Sequence, residues 1–260
     1  MLDLNKVNGP SIGVLVVSCD KYSDIWAPFF HCFKRFWPTC PYKIYLLTNN
    51  LSPEFQGVAT IQVGDDLSWS ENVLNAIKSL DEEYILMFID DLLLTHQVDN
   101  LRLNQIVKWV ADERPPYVQL LQSEVPDAPC NELVGKVLPG TLYRTSTVLS
   151  LWKKETLKAL LKPGESAWDF ELIGSARSDA FGDFYRSWSD VFQVTNCIIK
   201  GKWFPPALKV MRDLGVPVNI SVRLVMTSQE HIQFLFVILR SKILKLFPRK
   251  LRRRIRTWFL

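Results

Sequence analysis

Short apolar runs, each bounded by polar or turn-forming residues, alternate along the chain with stretches whose apolar residues recur at helical spacing. Runs rich in β-branched and aromatic side chains are typical of buried strands, whereas helical spacing marks one face of an amphipathic helix. The pattern predicts strands at residues 12–18, 43–48, 58–63, 84–89, 117–121 and 191–199, and helices between residues 24 and 38 and over 71–80, 100–111 and 152–161. This alternation, with short links, predicts an α/β sheet that binds its ligand at the carboxyl ends of its strands.

Polar residues just before the predicted helices indicate where these helices begin. Asp24 and Ser70 are expected to be N-caps, because short polar side chains accept hydrogen bonds from the first free backbone N–H groups. Ser166 and Asp169 have the spacing of a capping box. In the helix over 100–111, the apolar residues expected to be buried are Leu101, Ile106, Val107 and Val110.

The stretch YILMFIDDLLL, at residues 84–94, combines a buried strand pattern with two adjacent acids. Asp90 and Asp91 follow the predicted strand directly, although carboxylates are rarely buried unless they are paired or bound to a cation. Adjacent aspartates at the carboxyl end of a strand fit a divalent metal together with the phosphates that it neutralises. They are also typical of a turn or a helix cap, and the stretch alone leaves both interpretations open.

The composition indicates a folded cytosolic protein. The chain has 260 residues, of which 48% are hydrophobic and nine are tryptophan, enough for a large core in one or two domains. Its five cysteines form no CxxC pair and no even set, as expected of reduced structural thiols. Residues 1–10 are polar and the apolar run at 11–18 is short, so we expect no signal peptide.

Positive charge is concentrated at the end of the chain. Residues 231–260 contain nine Lys or Arg and no Asp or Glu, so the rest of the chain holds 22 basic and 27 acidic residues, a net charge of −5. Near the end, the apolar residues Leu251, Ile255, Trp258 and Phe259 fall on one helical face among arginines. This pattern predicts a basic amphipathic tail that binds an anionic membrane surface. A basic arm for nucleic acid is the alternative, which the acidic body and the apolar face disfavour.

Four stretches of the chain resemble motifs of a known enzyme family. They are VLVVSCDKYSD (residues 14–24), LSWSENVLNAIKSLDEEYILMFIDD (67–91), SLWKKETLKALLKPGESAWDFE (150–171) and NCIIKGKW (196–203). In order and spacing these stretches are similar to motifs of the GT-A-fold glycosyltransferases that use nucleotide sugars, particularly the bacterial O-antigen and capsule transferases. The motifs are the nucleobase-binding loop, the metal-binding acidic motif, the acceptor-side helix and a late phosphate-side loop. The resemblance implies a GT-A-like, Rossmann-type mixed sheet flanked by helices.

The resemblance also implies a metal ion at the acidic motif. In the family this motif offers a carboxylate, a spacer and a second carboxylate, whereas the corresponding triplet here is Ile89, Asp90 and Asp91, whose first position carries no acid. Carried over by position, Asp91 would ligate Mn²⁺ or Mg²⁺, and Asp90 would reach the ribose or the metal through water. The cation would stabilise the charge that grows on the departing diphosphate.

Further residues correspond by position to the family's donor site. Asp20 and Asp24 resemble residues that bind the nucleobase and the ribose, and the sequence itself offers turn formation and capping as the alternative. Trp69 and Ser70 would lie beside the nucleotide, although ordinary core packing is the alternative for Trp69.

An inverting transferase needs a base that takes the proton of the acceptor hydroxyl, and the acceptor-side helix offers two carboxylates. Asp169 is the third residue of the capping box behind Ser166, so we expect it to contact the acceptor or only to cap the helix. Glu171 lies among apolar residues whose burial would raise its pKa, so we assign it as the base. Lys200 and Lys202 would contact the departing diphosphate or form a solvated loop.

Together these features predict a cytoplasmic glycosyltransferase attached to the inner face of the cell membrane. It would move a sugar from a nucleotide donor, expected to be a UDP-sugar, to a lipid-linked glycan with inversion. Residues 1–230 would form the catalytic domain, with a donor half at about 1–122 and an acceptor half at about 123–230. One alternative is a nucleotidyltransferase, whose usual glycine- and lysine-rich first loop is missing here. The other is a non-catalytic nucleotide-sugar-binding protein with a degenerate metal site.

Overall fold

A nine-stranded mixed sheet forms the centre of the protein over residues 9–244, the part of the chain that the computed structural model describes. The strands are β1 (Ile12–Val17), β2 (Lys43–Thr48), β3 (Val58–Gln62), β4 (Tyr84–Ile89), β5 (Leu92–Leu94), β6 (Tyr117–Gln119), β7 (Ala128–Pro129), β8 (Val134–Val137), β9 (Ser150–Lys153), β10 (Phe184–Ser187), β11 (Val194–Asn196), β12 (Ile198–Ile199) and β13 (Lys202–Trp203). The large sheet has the order β3-β2-β1-β4-β9-β6-β10-β8-β7, while β5 pairs with β11 and β12 with β13.

Helices cover both faces of this sheet. They are α1 (Ser23–Phe36), α2 (Trp69–Lys78), α3 (Asn100–Glu113), α4 (Lys154–Leu160), α5 (Ala167–Asp169), α6 (Ser175–Arg177), α7 (Pro205–Asp213) and α8 (Ser228–Leu244). Side chains of β1 and β4 alternate between two apolar clusters, one with α1 and α3 and the other with α2 and α4. Burial on both faces explains why these strands appear as continuous apolar runs in the sequence.

The strand directions place the ends of several strands at one edge of the sheet. Strands β3, β2, β1 and β4 are parallel, whereas β9 runs antiparallel to both β4 and β6. The register pairs Val17 with Ile89 and Met87 with Ser150. The loop that precedes β9 therefore lies at the edge where β1 and β4 end.

The predicted fold class is confirmed, as a mixed α/β sheet flanked by helices. The strands predicted at 12–18, 43–48, 58–63 and 84–89 are confirmed to within one residue at their ends. The strand predicted at 191–199 is instead divided into β11 and β12.

The helix predicted over 152–161 begins too early. Residues Ser150–Lys153 form β9 in the middle of the large sheet, and α4 starts only at Lys154. Both faces of β9 are buried, with Leu151 in one apolar cluster and Trp152 in the other. In the sequence these residues continue the helical spacing of α4, but their pairing within the sheet makes them a strand.

Two predicted caps and one predicted core position are wrong. Ser68, and not Ser70, caps α2, because its Oγ accepts a hydrogen bond from the Glu71 backbone N–H at 3.2 Å. Asp24 lies inside α1, whose N-cap residue Tyr22 makes no side-chain cap. Leu101 is 73% exposed, because the face of α3 that packs on the core carries Leu103, Ile106 and Val110 instead.

The described part of the chain ends within the basic tail. No helix in residues 9–244 is long and apolar enough to cross a membrane. The amphipathic helix predicted around Leu251, Ile255, Trp258 and Phe259 lies outside the described residues.

Candidate active site

The carboxyl ends of β1 and β4 bring Ser18 and Asp90 together. Because Val17 pairs with Ile89, the residues that follow leave the sheet side by side. Ser18 Oγ donates a hydrogen bond to Asp90 Oδ2 and accepts one from Trp26 Nε1 at 2.6 Å. These contacts fix Asp90 in a position where it is only 6% exposed.

Asp90 and Asp91 form the tight turn between β4 and β5, and both carboxyls have raised pKa values. Burial raises the pKa of Asp90 well above 3.8, and the charge of Asp91 raises it further. Burial also raises the pKa of Asp91, to about 6. The turn predicted as one alternative is therefore present, but a turn alone does not require buried acids. Perturbed acids of this kind are common at functional sites.

The acidic turn fits a divalent cation that is shared with a substrate. Within the described residues, no three or more His, Cys, Asp or Glu side chains gather into a metal-binding group. Asp90 Oδ2 already accepts a hydrogen bond from Ser18, whereas Asp91 Oδ1 is buried and has no hydrogen-bond partner in the described chain. Mg²⁺ is often bound by one or two carboxylates plus substrate phosphates. Asp91 is thus the protein ligand available to a cation that arrives with a diphosphate.

Arg223 joins three segments around the acidic turn. Its guanidinium donates to both carboxylate oxygens of Asp24, at 2.9 and 2.7 Å, and to the backbone oxygens of Lys21, at 3.0 Å, and Gly201, at 3.1 Å. It also lies over the Tyr22 ring, 4.4 Å from the centroid. This bidentate ion pair is well shielded, because the two side chains are 10% and 8% exposed.

The positive charge of Arg223 acts on the acidic turn as well. It lowers the pKa of both Asp90 and Asp91, although burial outweighs this effect in both. Asp24 therefore has a structural partner in the folded protein that neither of its predicted roles includes.

Asp20 holds the loop between β1 and α1, which we call the first loop, against the end of β2. Its carboxylate accepts hydrogen bonds from the backbone N–H groups of Asn49, at 3.0 Å, and Asn50, at 2.9 Å. In return, the Asp20 backbone N–H donates to Asn49 Oδ1 at 3.1 Å. Asp20 therefore links two loops that are distant in the sequence, which is neither the local turn nor the cap predicted as its alternative role, and a contact with the nucleobase stays a prediction.

Glu171 lies on the π-helical turn Phe170–Gly174, which faces the loop before β9. Its Oε1 accepts three hydrogen bonds, from Ser146 Oγ at 3.0 Å, the Thr147 backbone N–H at 2.8 Å and Thr147 Oγ1 at 3.0 Å. Burial nevertheless raises the pKa of Glu171 above 4.5. In the described chain, its Oε2 accepts no hydrogen bond and so remains available to another group.

The capping box predicted at the start of this helical segment is confirmed. Ser166 Oγ accepts from the Asp169 backbone N–H at 3.2 Å, while Asp169 Oδ2 accepts from the Ser166 backbone N–H at 3.0 Å. Hydrogen bonds from the hydroxyl and the backbone N–H of Ser166 lower the pKa of Asp169, the opposite of the shift at Glu171. The shift at Asp169 follows from its capping contacts, whereas the shift at Glu171 follows from burial.

Trp69 and Ser70 pack beside this segment. The Trp69 ring lies 5.3 Å from the ring of Phe170, so the core-packing alternative is present for Trp69. The Ser70 backbone N–H donates to the Glu165 oxygen at 3.1 Å, and its buried Oγ has no hydrogen-bond partner among the described residues. The two residues thus connect α2 to the helical segment that carries Glu171.

Lys200 and Lys202 belong to the hairpin of β12 and β13. Lys200 and Gly201 form its turn, with φ values of 50° and 75°, and Lys200 is exposed. Lys202 pairs with Glu230 at the start of α8. Because Gly201 contacts Arg223, this turn is attached to the first loop, and contact of Lys200 with a diphosphate stays a prediction.

At one edge of the sheet, the structure thus brings together the acidic turn, the Arg223 guanidinium and the Glu171 carboxylate, which the loop before β9 anchors. Sequence analysis missed Ser18, Ser146, Thr147 and Arg223. Only Arg223 has a local signal, since apolar and polar residues alternate from 218 to 224 as VNISVRL, which indicates a segment with two different faces.

Comparisons with known proteins extend the description of the fold. No protein-family model matches the sequence, and the comparison with curated proteins found no match. The chain resembles the structure of S. aureus TarS 1–349 in complex with UDP, with a TM-score of 0.50 and 11% identity over 70% of this chain and 59% of that one. The structure of TarS 1–349 in complex with UDP-GlcNAc has a TM-score of 0.49 and 11% identity, over 79% and 66%.

The similarity to the UDP-bound TarS structure concerns the fold. The chain spans about three fifths of the UDP-bound TarS structure, and the likeness shows a common GT-A-like fold.

Proposed function

We propose that this chain is a glycosyltransferase that moves a sugar from a nucleotide-sugar donor to an acceptor hydroxyl. The observation that carries the proposal is the acidic turn of Asp90 and Asp91, which lies at the carboxyl ends of β1 and β4, has raised pKa values and leaves Asp91 Oδ1 without a partner. Ligands of open α/β sheets bind at this edge.

Asp91 would hold Mn²⁺ or Mg²⁺, with the remaining ligands supplied by the diphosphate and water. The bound cation supplies charge stabilisation to the departing nucleoside diphosphate. Asp90, held by Ser18, fixes the turn and orients its neighbour. Lys200, exposed at the hairpin turn, would add positive charge on the diphosphate side.

Glu171 is proposed as the general base. Three hydrogen bonds anchor its Oε1, so Oε2 is the atom that would accept the proton of the acceptor hydroxyl as the new glycosidic bond forms. Burial moves the pKa of Glu171 towards neutral pH, and a general base is most effective when its pKa lies near the working pH. Asp169 would contact the acceptor while it caps the helix. This division of roles supports an inverting reaction.

The donor and the acceptor follow from separate observations. A UDP-sugar is proposed because TarS, whose fold this chain shares, was crystallised with UDP. Asp20, Asp24, Trp69 and Ser70 would line the side of the nucleotide. A lipid-linked glycan of bacterial surface polysaccharide is the proposed acceptor, because residues 231–260 carry nine basic and no acidic residues and would hold the enzyme on the cytoplasmic face of an anionic membrane.

Hydrolysis of UDP-, GDP-, dTDP- and CMP-sugars in the presence of Mn²⁺ tests this proposal. We expect slow release of UDP from one UDP-sugar, together with an increase in melting temperature on addition of UDP. Release of pyrophosphate from a nucleoside triphosphate would instead identify a nucleotidyltransferase. Stabilisation by a nucleotide sugar without turnover on any lipid-linked acceptor would identify a binding protein.

A further inference from the structure

The loop between α7 and α8, residues 214–227, presents different residues to the protein and to solvent. It is attached to the body through β13, because Trp203 forms a bridge with Val225, its backbone N–H donates to the Leu224 oxygen at 2.9 Å and its own oxygen accepts from Met226 at 3.0 Å. Met226 is buried at the end of the loop. The position of the loop is therefore fixed relative to the hairpin of β12 and β13.

Arg223 is the residue of this loop that faces the candidate site. Its hydrogen bonds to Asp24, Lys21 and Gly201 tie the loop to the start of α1 and to the hairpin turn. Its positive charge also acts on the acidic turn, where it partly opposes the rise that burial causes in the pKa of both aspartates. Movement of this loop would thus displace a positive charge from the donor site.

The residues on either side of Arg223 face solvent, although they are apolar. Val222 is 66% exposed and Leu224 69%, and Ile220 nearby is 57% exposed. The following helix α8 is held by Phe204, which contacts His231 and Phe234, and leaves further apolar side chains exposed. Among them are Ile232, Leu235, Phe236 and Leu239, which recur at helical spacing. We call Ile220, Val222, Leu224 and these four residues the outer apolar surface.

Charge distinguishes between the possible partners of this surface. Arg240 follows on α8, and residues 245–260 add seven basic and no acidic residues to the same end of the chain. A second copy would bring two strongly basic tails together, which like-charge repulsion opposes. An anionic lipid surface satisfies both features, since it accepts apolar side chains at the headgroup boundary and attracts basic ones.

We propose that the loop 214–227 couples an anionic lipid surface to the donor site. Ile220, Val222 and Leu224 bind the lipid interface, and this contact holds Arg223 in its ion pair with Asp24, so that the first loop is ordered for the nucleotide. Arg223 is a positioning residue in this account. The inference rests on the proposed function only for the identity of the nucleotide.

Hydrogen exchange of the full-length protein, with and without vesicles of phosphatidylglycerol and phosphatidylcholine, tests the lipid contact without any nucleotide. We expect anionic vesicles to slow exchange at residues 220–226 and also at residues 19–24. The double variant V222S/L224S, which keeps Arg223, should lose at least half of the protection in both segments. L101S/V125S is the matched control, because Leu101 and Val125 are exposed to a similar extent elsewhere, at 73% and 69%.

Variants of Arg223 test the coupling separately. R223M should keep the vesicle-dependent protection at 220–226 but lose it at 19–24, whereas R223K should restore part of it because a positive charge remains. Calorimetry with UDP should show severalfold tighter binding on vesicles for the wild type and no such gain for R223M. A purely structural role of Arg223 would weaken UDP binding equally with and without vesicles.

The outcomes separate this inference from the proposed function. Unchanged exchange at 220–226 on anionic vesicles would overturn the lipid contact, and equal protection of 19–24 in R223M would overturn the coupling. Protection that rises with protein concentration in the absence of vesicles would assign the surface to a second copy and overturn the lipid assignment. If exchange behaves as expected but no UDP binds, the coupling stands and the proposed donor is wrong.

Discussion

At the scale of single residues, Glu171 uses its two carboxylate oxygens differently. Ser146 and Thr147 direct three hydrogen bonds to Oε1. The arrangement fixes the carboxylate while Oε2 stays available, which is the geometry that a general base requires. A glutamine at this position would keep an oxygen acceptor for all three donors and would lose only the ability to take a proton.

We therefore expect Glu171→Gln to lower kcat by a factor on the order of 10² or more, with little change in UDP affinity. Steady-state kinetics with the acceptor and calorimetry with UDP measure the two effects. Asp169→Asn is the companion variant, which should cost on the order of 1 kcal/mol of stability through the weakened capping box. Wild-type turnover of Glu171→Gln would remove Glu171 from the role of base.

The buried carboxylate of Asp91 should lower the free energy of unfolding of the protein at neutral pH. Its pKa rises on folding from 3.8 to about 6, so between these values the folded protein holds a proton that the unfolded chain has released. Stability therefore falls as pH rises through this window. Asp91→Asn should raise the free energy of unfolding at pH 7 by up to about 3 kcal/mol, and change it little at pH 3.5.

Denaturant titrations at both pH values measure this difference. Asp112→Asn provides the control, because Asp112 is exposed on α3 and its substitution removes no buried carboxyl. A lower stability of Asp91→Asn at pH 7 would show that its carboxylate has a stabilising partner in the fold.

At the scale of elements, the start of α2 depends on Ser68. Its Oγ accepts hydrogen bonds from the Glu71 and Gly164 backbone N–H groups, both at 3.2 Å, and donates to the Glu71 carboxylate at 2.8 Å. Ser70 Oγ is buried within the same turn and has no partner in the described chain. We expect Ser68→Ala to cost about 1 kcal/mol and Ser70→Ala to be neutral or stabilising. Thermal unfolding of the two variants compares them directly, and a reversed order would contradict this assignment of the cap.

The same two serines show what local pattern could and could not predict. Ser68 lies three residues before Glu71, which is the spacing of a capping box, so the sequence carries a signal for Ser68 that the prediction of Ser70 overlooked. Residues 150–153 continue the helical spacing of α4, but their place between β4 and β6 makes them a strand. Strands β1 and β4, which are buried on both faces, were predictable because their continuous apolar runs are too short for a buried helix.

The candidate site was predictable only where a single segment carries it. Asp90 and Asp91 end an apolar strand, and Glu171 follows a capping box, so both could be predicted. Ser18 meets Asp90 across 72 positions and Arg223 meets Asp24 across 199. Such pairs depend on the topology of the sheet and of the α7–α8 loop, which local spacing does not contain.

At the scale of the whole molecule, charge separates the body from the tail. Residues 248–260 contain six of the nine basic residues of the tail, together with the apolar residues predicted to share one helical face. A chain that ends at Phe247 keeps α8 and should lose affinity for anionic vesicles, since each basic residue near the surface contributes about 1 kcal/mol. We expect at least a hundredfold weaker binding in co-sedimentation, and unchanged hydrolysis of the donor.

A truncated protein that still sediments with anionic vesicles to the same extent would assign membrane binding to α8 and the outer apolar surface alone. Raising the salt concentration provides the control, because screening should weaken binding of the full-length chain more than that of the truncated one.

The central claim is that the acidic turn binds a nucleoside diphosphate through a shared cation, and calorimetric titration with UDP tests it most directly. We predict that Mn²⁺ increases the affinity of the wild-type protein for UDP at least tenfold over EDTA. Asp91→Asn should abolish this increase, and Asp112→Asn should retain it. UDP binding that is the same with Mn²⁺, with EDTA and in Asp91→Asn would contradict the account.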